Sequence, residues 1–336
     1  KKIFSKSDPF EKIFMAFAAL KDDGSVVTWG VPSRGGDSSS VSDNLTSNVD
    51  DIFASSSAFA ALKNDGSVVT WGASDHGGDS SSVSDQLNSG IKQLSSNFGA
   101  FAALKNDGSV VTWGSPNDGG DKKLLHQNER ISVGHQLNSG VEKIFSSGSA
   151  FAALKDDGSV ITWGSFRHDE NILGNQLNSG IKEIFNNTFA FAAIKDDGSA
   201  ISWGFSRFGG DSSSVSNQLS SGVKKIFSTS RAFAALKDDG SVITWGFNSA
   251  GGDSSTVSSQ LTSGVKQIFS SISGFAALKD DGSVITWGAV DTSSVSSQLT
   301  SGVKKIFSNS SAFAALKDDG SVITWGAVDT SSVSSQ

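Results

Sequence analysis

The stretch Gly222-Val223-Lys224-Lys225-Ile226-Phe227, followed by Ala232-Phe233-Ala234-Ala235-Leu236-Lys237-Asp238-Asp239-Gly240-Ser241-Val242-Ile243-Thr244-Trp245-Gly246, decides the fold. Ser241 to Trp245 is rich in β-branched and aromatic residues, which suit a pleated, half-buried surface, and predicts a strand. Phe233 to Lys237 predicts another, joined to it by Asp238-Asp239-Gly240. Asp-Gly between apolar runs marks a hairpin, because glycine takes the positive φ that the turn demands. Val223 to Phe227 predicts a third strand, with Gly222 as a bend before it. A helix over Phe-Ala-Ala-Leu-Lys is the weaker reading, since so short a run does not stand alone as a helix.

The same phrase recurs along the chain. Trp29, Trp71, Trp113, Trp163, Trp203, Trp245, Trp287 and Trp325 are separated by 42, 42, 50, 40, 42, 42 and 38 residues, each preceded by Thr or Ser and followed by Gly. Length changes fall after the Trp-Gly, where loops vary without disturbing a scaffold. One tryptophan per unit at a fixed place predicts core or inter-unit packing. A three-stranded sheet of this size cannot bury its own apolar face, so stacked neighbours must share one continuous core. Twisted sheets stacked radially close into a β-propeller, and a period near 42 with alanine pairs for close backbone approach favours that ring over a solenoid. The expectation is an all-β chain, residues 1–336 forming a single repeat domain of eight units, each of three to four short strands.

The pattern Gly-Val-x-x-Ile, then Ala-Leu-Lys-Asp-Asp-Gly-x-Val-x-x-Trp-Gly, resembles the repeat of RCC1-type propellers, including the shorter-bladed bacterial β-lactamase-inhibitor branch. The resemblance covers nearly the whole chain. It implies seven blades and a regulator, inhibitor or exchange-factor-like, that grips a partner with one face. Units two to eight are read as seven regular blades, and unit one, where Glu11-Lys12-Ile13-Phe14 repeats Lys2-Ile3-Phe4 too closely, as a cap or an eighth. Where the family carries Gly-Gln-Leu-Gly, this chain mostly has Gly-Gly-Asp-Ser-Ser-Ser-Val; only Asn171-Ile172-Leu173-Gly174 is similar to the family form.

Charge and composition exclude several function classes. Of the 336 residues, 27 are Lys or Arg and 34 Asp or Glu, a net −7, whereas a phosphate-neutralising nucleic-acid binder needs a basic surplus. No cysteine is present, which excludes disulfides and thiolate metal sites. The longest apolar run, Ile13 to Leu20, is far short of the roughly 20 residues of a spanning helix, so no membrane insertion is expected. The opening Lys1-Lys2-Ile3-Phe4 copies the interior of later units and the closing Ser335-Gln336 falls inside one, as in a piece of a longer array.

No catalytic constellation stands out, and a non-enzyme without cofactor is expected. Ser74, Asp75 and His76 lie together on one loop, but a nucleophilic triad needs side chains converging from different segments. His76, His126, His135 and His168 fall in four separate loops, too scattered to read as one zinc site. Asp37, Asp79, Asp121, Asp211 and Asp253 follow Gly-Gly in equivalent loops, with Asp291 and Asp329 in similar places. They are either turn residues accepting local backbone hydrogen bonds or, more weakly, a ring of calcium or glycan ligands. One region breaks the monotony: Lys122, Lys123, Leu124, Leu125, His126, Glu129 and Arg130 after Trp113, and Phe166, Arg167, His168, Asp169 and Glu170 after Trp163. Mixed charge and apolar residues on adjacent loops make these a candidate docking patch for a protein partner. The expected function is a non-catalytic interaction or adhesive repeat module, displayed outside a bacterial cell within a larger protein. The alternative is a partner's regulator acting through the loops of units three and four.

Overall fold

A computed structural model describes residues 2–5, 16–126, 129–165, 170–171 and 174–327. Eight sheets, each built on three antiparallel strands in chain order, account for the secondary structure, with short 3-10 turns between them. The fold is all-β, a tandem repeat of three-stranded antiparallel sheets as the recurring motif predicts. The sixth sheet, Val223–Ser228, Ala232–Lys237 and Val242–Gly246, matches the predicted strands to within a residue at each end.

The chain divides into two compact units, Lys1–Arg167 with Asn175–Ser179, and His168–Gly174 with Gly180–Gln336. The first unit holds four sheets. These are Lys2–Ser5, Ala16–Leu20 and Val26–Gly30; Val49–Ala54, Ala58–Lys63 and Val68–Gly72; Ile91–Ser96, Ala100–Lys105 and Val110–Gly114; and Val141–Ser146, Ala150–Lys155 and Val160–Ser165. The second holds four more. These are Ile181–Asn186, Ala190–Lys195 and Ala200–Phe205; the sixth sheet above; Val265–Ser270, Gly274–Lys279 and Val284–Gly288; and Val303–Ser308, Ala312–Lys317 and Val322–Gly326. Unit one of the sequence therefore forms a sheet too; its second copy, Glu11 to Phe14, lies outside the described residues.

Two-residue alternation gives every sheet one large and one small apolar face. In the sixth, Val223, Ile226, Phe233, Ala235 and Trp245 pack on Ala190, Ala192 and Ile194 of the fifth. Its other face, Ala232, Ala234, Leu236 and Val242, receives Ile268, Phe275, Ala277 and Trp287 of the seventh. The same large-on-small interface recurs between successive sheets of each unit. Alanine on one side leaves room for the aromatic pair on the other, which is how close packing is reached without strain. Within each sheet the Phe and Trp are direct cross-strand partners, as Phe233 is to Trp245, and their rings stack 5.2–5.4 Å apart.

Backbone hydrogen bonds lace each interface. In six of the sheets the first strand donates its leading N–H to the glycine carbonyl of the preceding hairpin turn, as Val265 does to Gly240 at 3.1 Å. At the opposite end, Thr188 N–H reaches the Ser230 carbonyl, Ser230 N–H the Ile272 carbonyl, and Ile272 N–H the Ser310 carbonyl.

Candidate interaction surface

Five of the loops that follow a Trp-Gly are pinned before they can present anything. Tryptophan indoles of five sheets donate Nε1–H to a glycine carbonyl in the preceding loop: Trp71 to Gly35, Trp113 to Gly77, Trp163 to Gly119, Trp245 to Gly209 and Trp287 to Gly251, all at 3.0–3.1 Å. Gly209 sits at φ +97°, and a Cβ there would lie 2.7 Å from the Phe233 ring, so only glycine fits. Gly-Gly in the recurring loop is therefore an inter-sheet latch. The described tryptophans are buried except Trp29, which stacks on Phe17 but is 42 % exposed. Trp325 is buried without an acceptor for its Nε1–H, because the loop before it is the short Gly288-Ala289-Val290-Asp291 form.

Asp residues after the latch behave as turn residues. Asp37, Asp79, Asp211, Asp253 and Asp291 each accept, through Oδ1, the backbone N–H of the Ser two positions on, at 2.8–2.9 Å. That bond holds Asp37, Asp79, Asp253 and Asp291 below the usual carboxylate range. Asp121 departs from the pattern and pairs with Lys123 Nζ at 3.5 Å. Among the described residues no cluster of three or more His, Asp or Glu is placed to hold a metal. On the Ser74-Asp75-His76 loop, Asp75 Oδ1 and His76 Nδ1 meet at 2.8 Å, and no hydrogen bond joins Ser74 to either.

The candidate loop after Trp113 is not an open loop. Lys123–His126 and Glu129–Ser132 form a hairpin that extends the fourth sheet, with Leu124 and Leu125 paired in parallel to Gly164 and Ser165. Leu124 and Leu125 are half-buried, Lys123 is partly exposed, and Ile131 is exposed. Lys122 turns the chain into this hairpin in the left-handed region, φ 53°, and burial holds its ammonium below the usual lysine value. His126, Glu129 and Arg130 are placed on the strands by their backbone alone. Glu170 opens the two-residue strand Glu170–Asn171, which pairs with Phe205 and Gly204. Phe166, Arg167, His168 and Asp169 lie outside the described residues.

A second irregularity, at the corresponding loops of the second unit, is denser. Phe189 lies between the first two strands of the fifth sheet; Phe205, Arg207 and Phe208 follow its Trp-Gly; Arg231 and Phe247 hold the same two positions on the sixth sheet. Phe208 stacks on Phe205 at 4.9 Å, tilts against Phe189 at 4.7 Å and meets Phe247 edge-on at 5.5 Å. Arg231 lies over Phe208, Phe247 and Phe189 at 5.3, 5.8 and 5.9 Å, and Arg207 lies over Phe247 at 4.9 Å. Rings over guanidinium planes attract through the ring quadrupole. All four rings are partly exposed and both arginines exposed. Buried side chains fix this arrangement from below. Asn187 donates to the Phe208 carbonyl at 2.8 Å and accepts from Phe189 and Ala190 N–H; Thr229 donates to the Ala250 carbonyl and accepts from Arg231 N–H.

Sequence reasoning passed over this surface. Its signal is nonetheless present: Phe205-Ser206-Arg207-Phe208 and Phe247 stand where the second and third units have Ala73-Ser74-Asp75-His76 and Ser115-Pro116-Asn117-Asp118.

Neither a protein-family model nor a curated protein matches the chain. Among solved structures it is similar to the ectodomain of the Physcomitrella patens receptor kinase CR4, at 13 % identity over 80 % of this chain and 70 % of that one, TM-score 0.40. It is similar to yeast RCC1 (Prp20), solved with Kap60, at 15 % identity over 72 % of this chain and 70 % of that one, TM-score 0.40. The computationally designed Ika8 protein matches over 96 % of both chains at 16 % identity, TM-score 0.38. At TM-scores this low the repeat class rests on the strands and register of this chain, not on the superpositions. No helix among the described residues is long and apolar enough to cross a membrane.

Proposed function

We propose that the 336 residues work as a single non-catalytic protein-interaction domain, an array of near-identical sheets whose irregular loops do the recognising. The observation that carries this reading is the Phe189–Phe205–Phe208–Phe247 cluster with Arg207 and Arg231: partly exposed aromatic rings and arginine, held by buried Asn187 and Thr229, where the second and third repeats carry Ala73-Ser74-Asp75-His76 and Ser115-Pro116-Asn117-Asp118. Aromatic and arginine side chains on a preorganised base are the usual anchors of protein interfaces. The Ser-, Gly- and Asp-rich remainder suits display at a cell surface or outside it, within a bacterial protein. Yeast RCC1 was solved with a bound protein, Kap60, an arrangement of the kind proposed for this chain.

Affinity capture from the native source tests the reading. The unaltered chain retains a specific protein, and a chain carrying Phe208→Ser, Phe247→Ala and Arg231→Ser releases it. Retention of nothing, or of the same proteins by both chains, overturns it. The hairpin Lys123–His126 with Glu129–Ser132 favours a second reading, regulation of a partner through the loops of units three and four. Replacing the loops after Trp113 and Trp163 with the common Gly-Gly-Asp-Ser-Ser-Ser form then abolishes capture while the Phe208 and Phe247 substitutions leave it intact.

A further inference from the structure

We propose that the aromatic–arginine surface of the second unit takes an acidic polypeptide segment, one apolar side chain seated on the rings and flanking carboxylates paired with Arg207 and Arg231. The inference rests on the interaction reading above and adds the chemistry of the partner. The guanidinium carbons lie 4.9–6.0 Å from ring centroids while both side chains stay exposed, so the rings hold them in place and leave N–H donors open to a partner. Among the described residues neither forms an ion pair or donates a side-chain hydrogen bond; the ion pairs present all belong to the first unit. A guanidinium edge is a rigid fork of N–H donors that matches a carboxylate bidentately.

Two such forks beside partly exposed rings ask for carboxylates spaced around an apolar group. Carboxylate pairing and ring contact are compatible at one arginine, because a guanidinium stacks through its face and pairs through its N–H edge. A basic segment is disfavoured by the two positive charges. A nucleic acid offers stacking bases and phosphates, but two arginines on a chain of net −7 neutralise too few phosphates to hold a strand. The acidic surplus elsewhere on the chain repels an acidic partner at long range. The attraction is therefore short-ranged and lies in slow dissociation rather than fast encounter.

Fluorescence anisotropy with the whole 336-residue chain tests this. The probes are labelled nonapeptides of Glu and Ser with one central Phe, Leu or Trp, the same set with Lys for Glu, the set with Ala at the centre, and a thymidine oligonucleotide. The acidic peptides with an apolar centre bind. Arg207→Gln or Arg231→Gln weakens binding tenfold or more, Phe247→Ala does the same, and Arg231→Lys lies between. Because both arginines are exposed, the Gln variants keep the fold, and an unchanged melting curve verifies it. Binding of Lys peptides or of the oligonucleotide lost in the same variants overturns the acidic assignment while leaving an interaction surface in place. Acidic binding that ignores all four substitutions, or no binding by any probe, overturns the inference alone, because native-source capture judges the broader reading independently.

Discussion

At the scale of single residues, the tryptophan is two things at once. Its ring fills the large face of its sheet, and its N–H ties that sheet to the glycine carbonyl of the loop before. Trp245→Phe keeps much of the stacking and orphans the Gly209 carbonyl, so it costs about 1–3 kcal/mol beyond the lost ring volume. Trp325→Phe removes an N–H that already lacks an acceptor and costs less by about that margin. Comparing the two variants by urea denaturation checks this. Hairpin-turn aspartates act on pH. Asp23 accepts both the Oγ–H and the N–H of Ser25, which hold its carboxyl at about 2, and Asp65, Asp107, Asp157, Asp197, Asp239, Asp281 and Asp319 are lowered for the same reason. A carboxylate whose value falls on folding stabilises the native state above its unfolded value of 3.8 and loses that contribution as pH falls toward 2. Thermal melts between pH 5 and pH 2, as an approximate span, should show the midpoint falling with acid. The fall should be shallower when four of these aspartates are replaced by Asn.

At the scale of the element, the small face is as demanding as the large one. Ala234 is fully buried opposite the aromatic pair of the seventh sheet, so Ala234→Leu overpacks that interface and costs about 1–3 kcal/mol, measured by chemical denaturation. Strands and hairpin turns were legible because Asp-Asp-Gly and the β-branched run before Trp are local signals. The latch was not, because its acceptor is a backbone carbonyl whose partner lies 36 residues on in four of the five cases. Leu124 and Leu125 read as loop residues, but pairing to Gly164 and Ser165 makes that segment a sheet extension, a long-range contact that no local signal announces. The aromatic–arginine surface was hidden differently. Phe189 and Phe247 are 58 positions apart, so only stacking of the fifth and sixth sheets brings them together.

At the scale of the molecule, each buried cluster joins one sheet to the next, so cohesion within each unit is a sum of neighbour terms. Phe233→Ala empties the interface of the fifth and sixth sheets at about 3–5 kcal/mol. Hydrogen exchange on that variant should lose protection first in Ala190–Lys195 and Ala232–Lys237, while Ala58–Lys63 and Ala100–Lys105 keep theirs. Uniform loss across all sheets would contradict the neighbour-only picture.

Interchangeable faces have an evolutionary corollary. Since the Phe–Trp side of the sixth sheet and that of the seventh meet nearly the same alanine partners, a gene that gains or drops one whole period by unequal crossing-over still encodes matched surfaces at the new junction. What tells one period from another is a handful of loop residues, Phe208 and Arg231 among them.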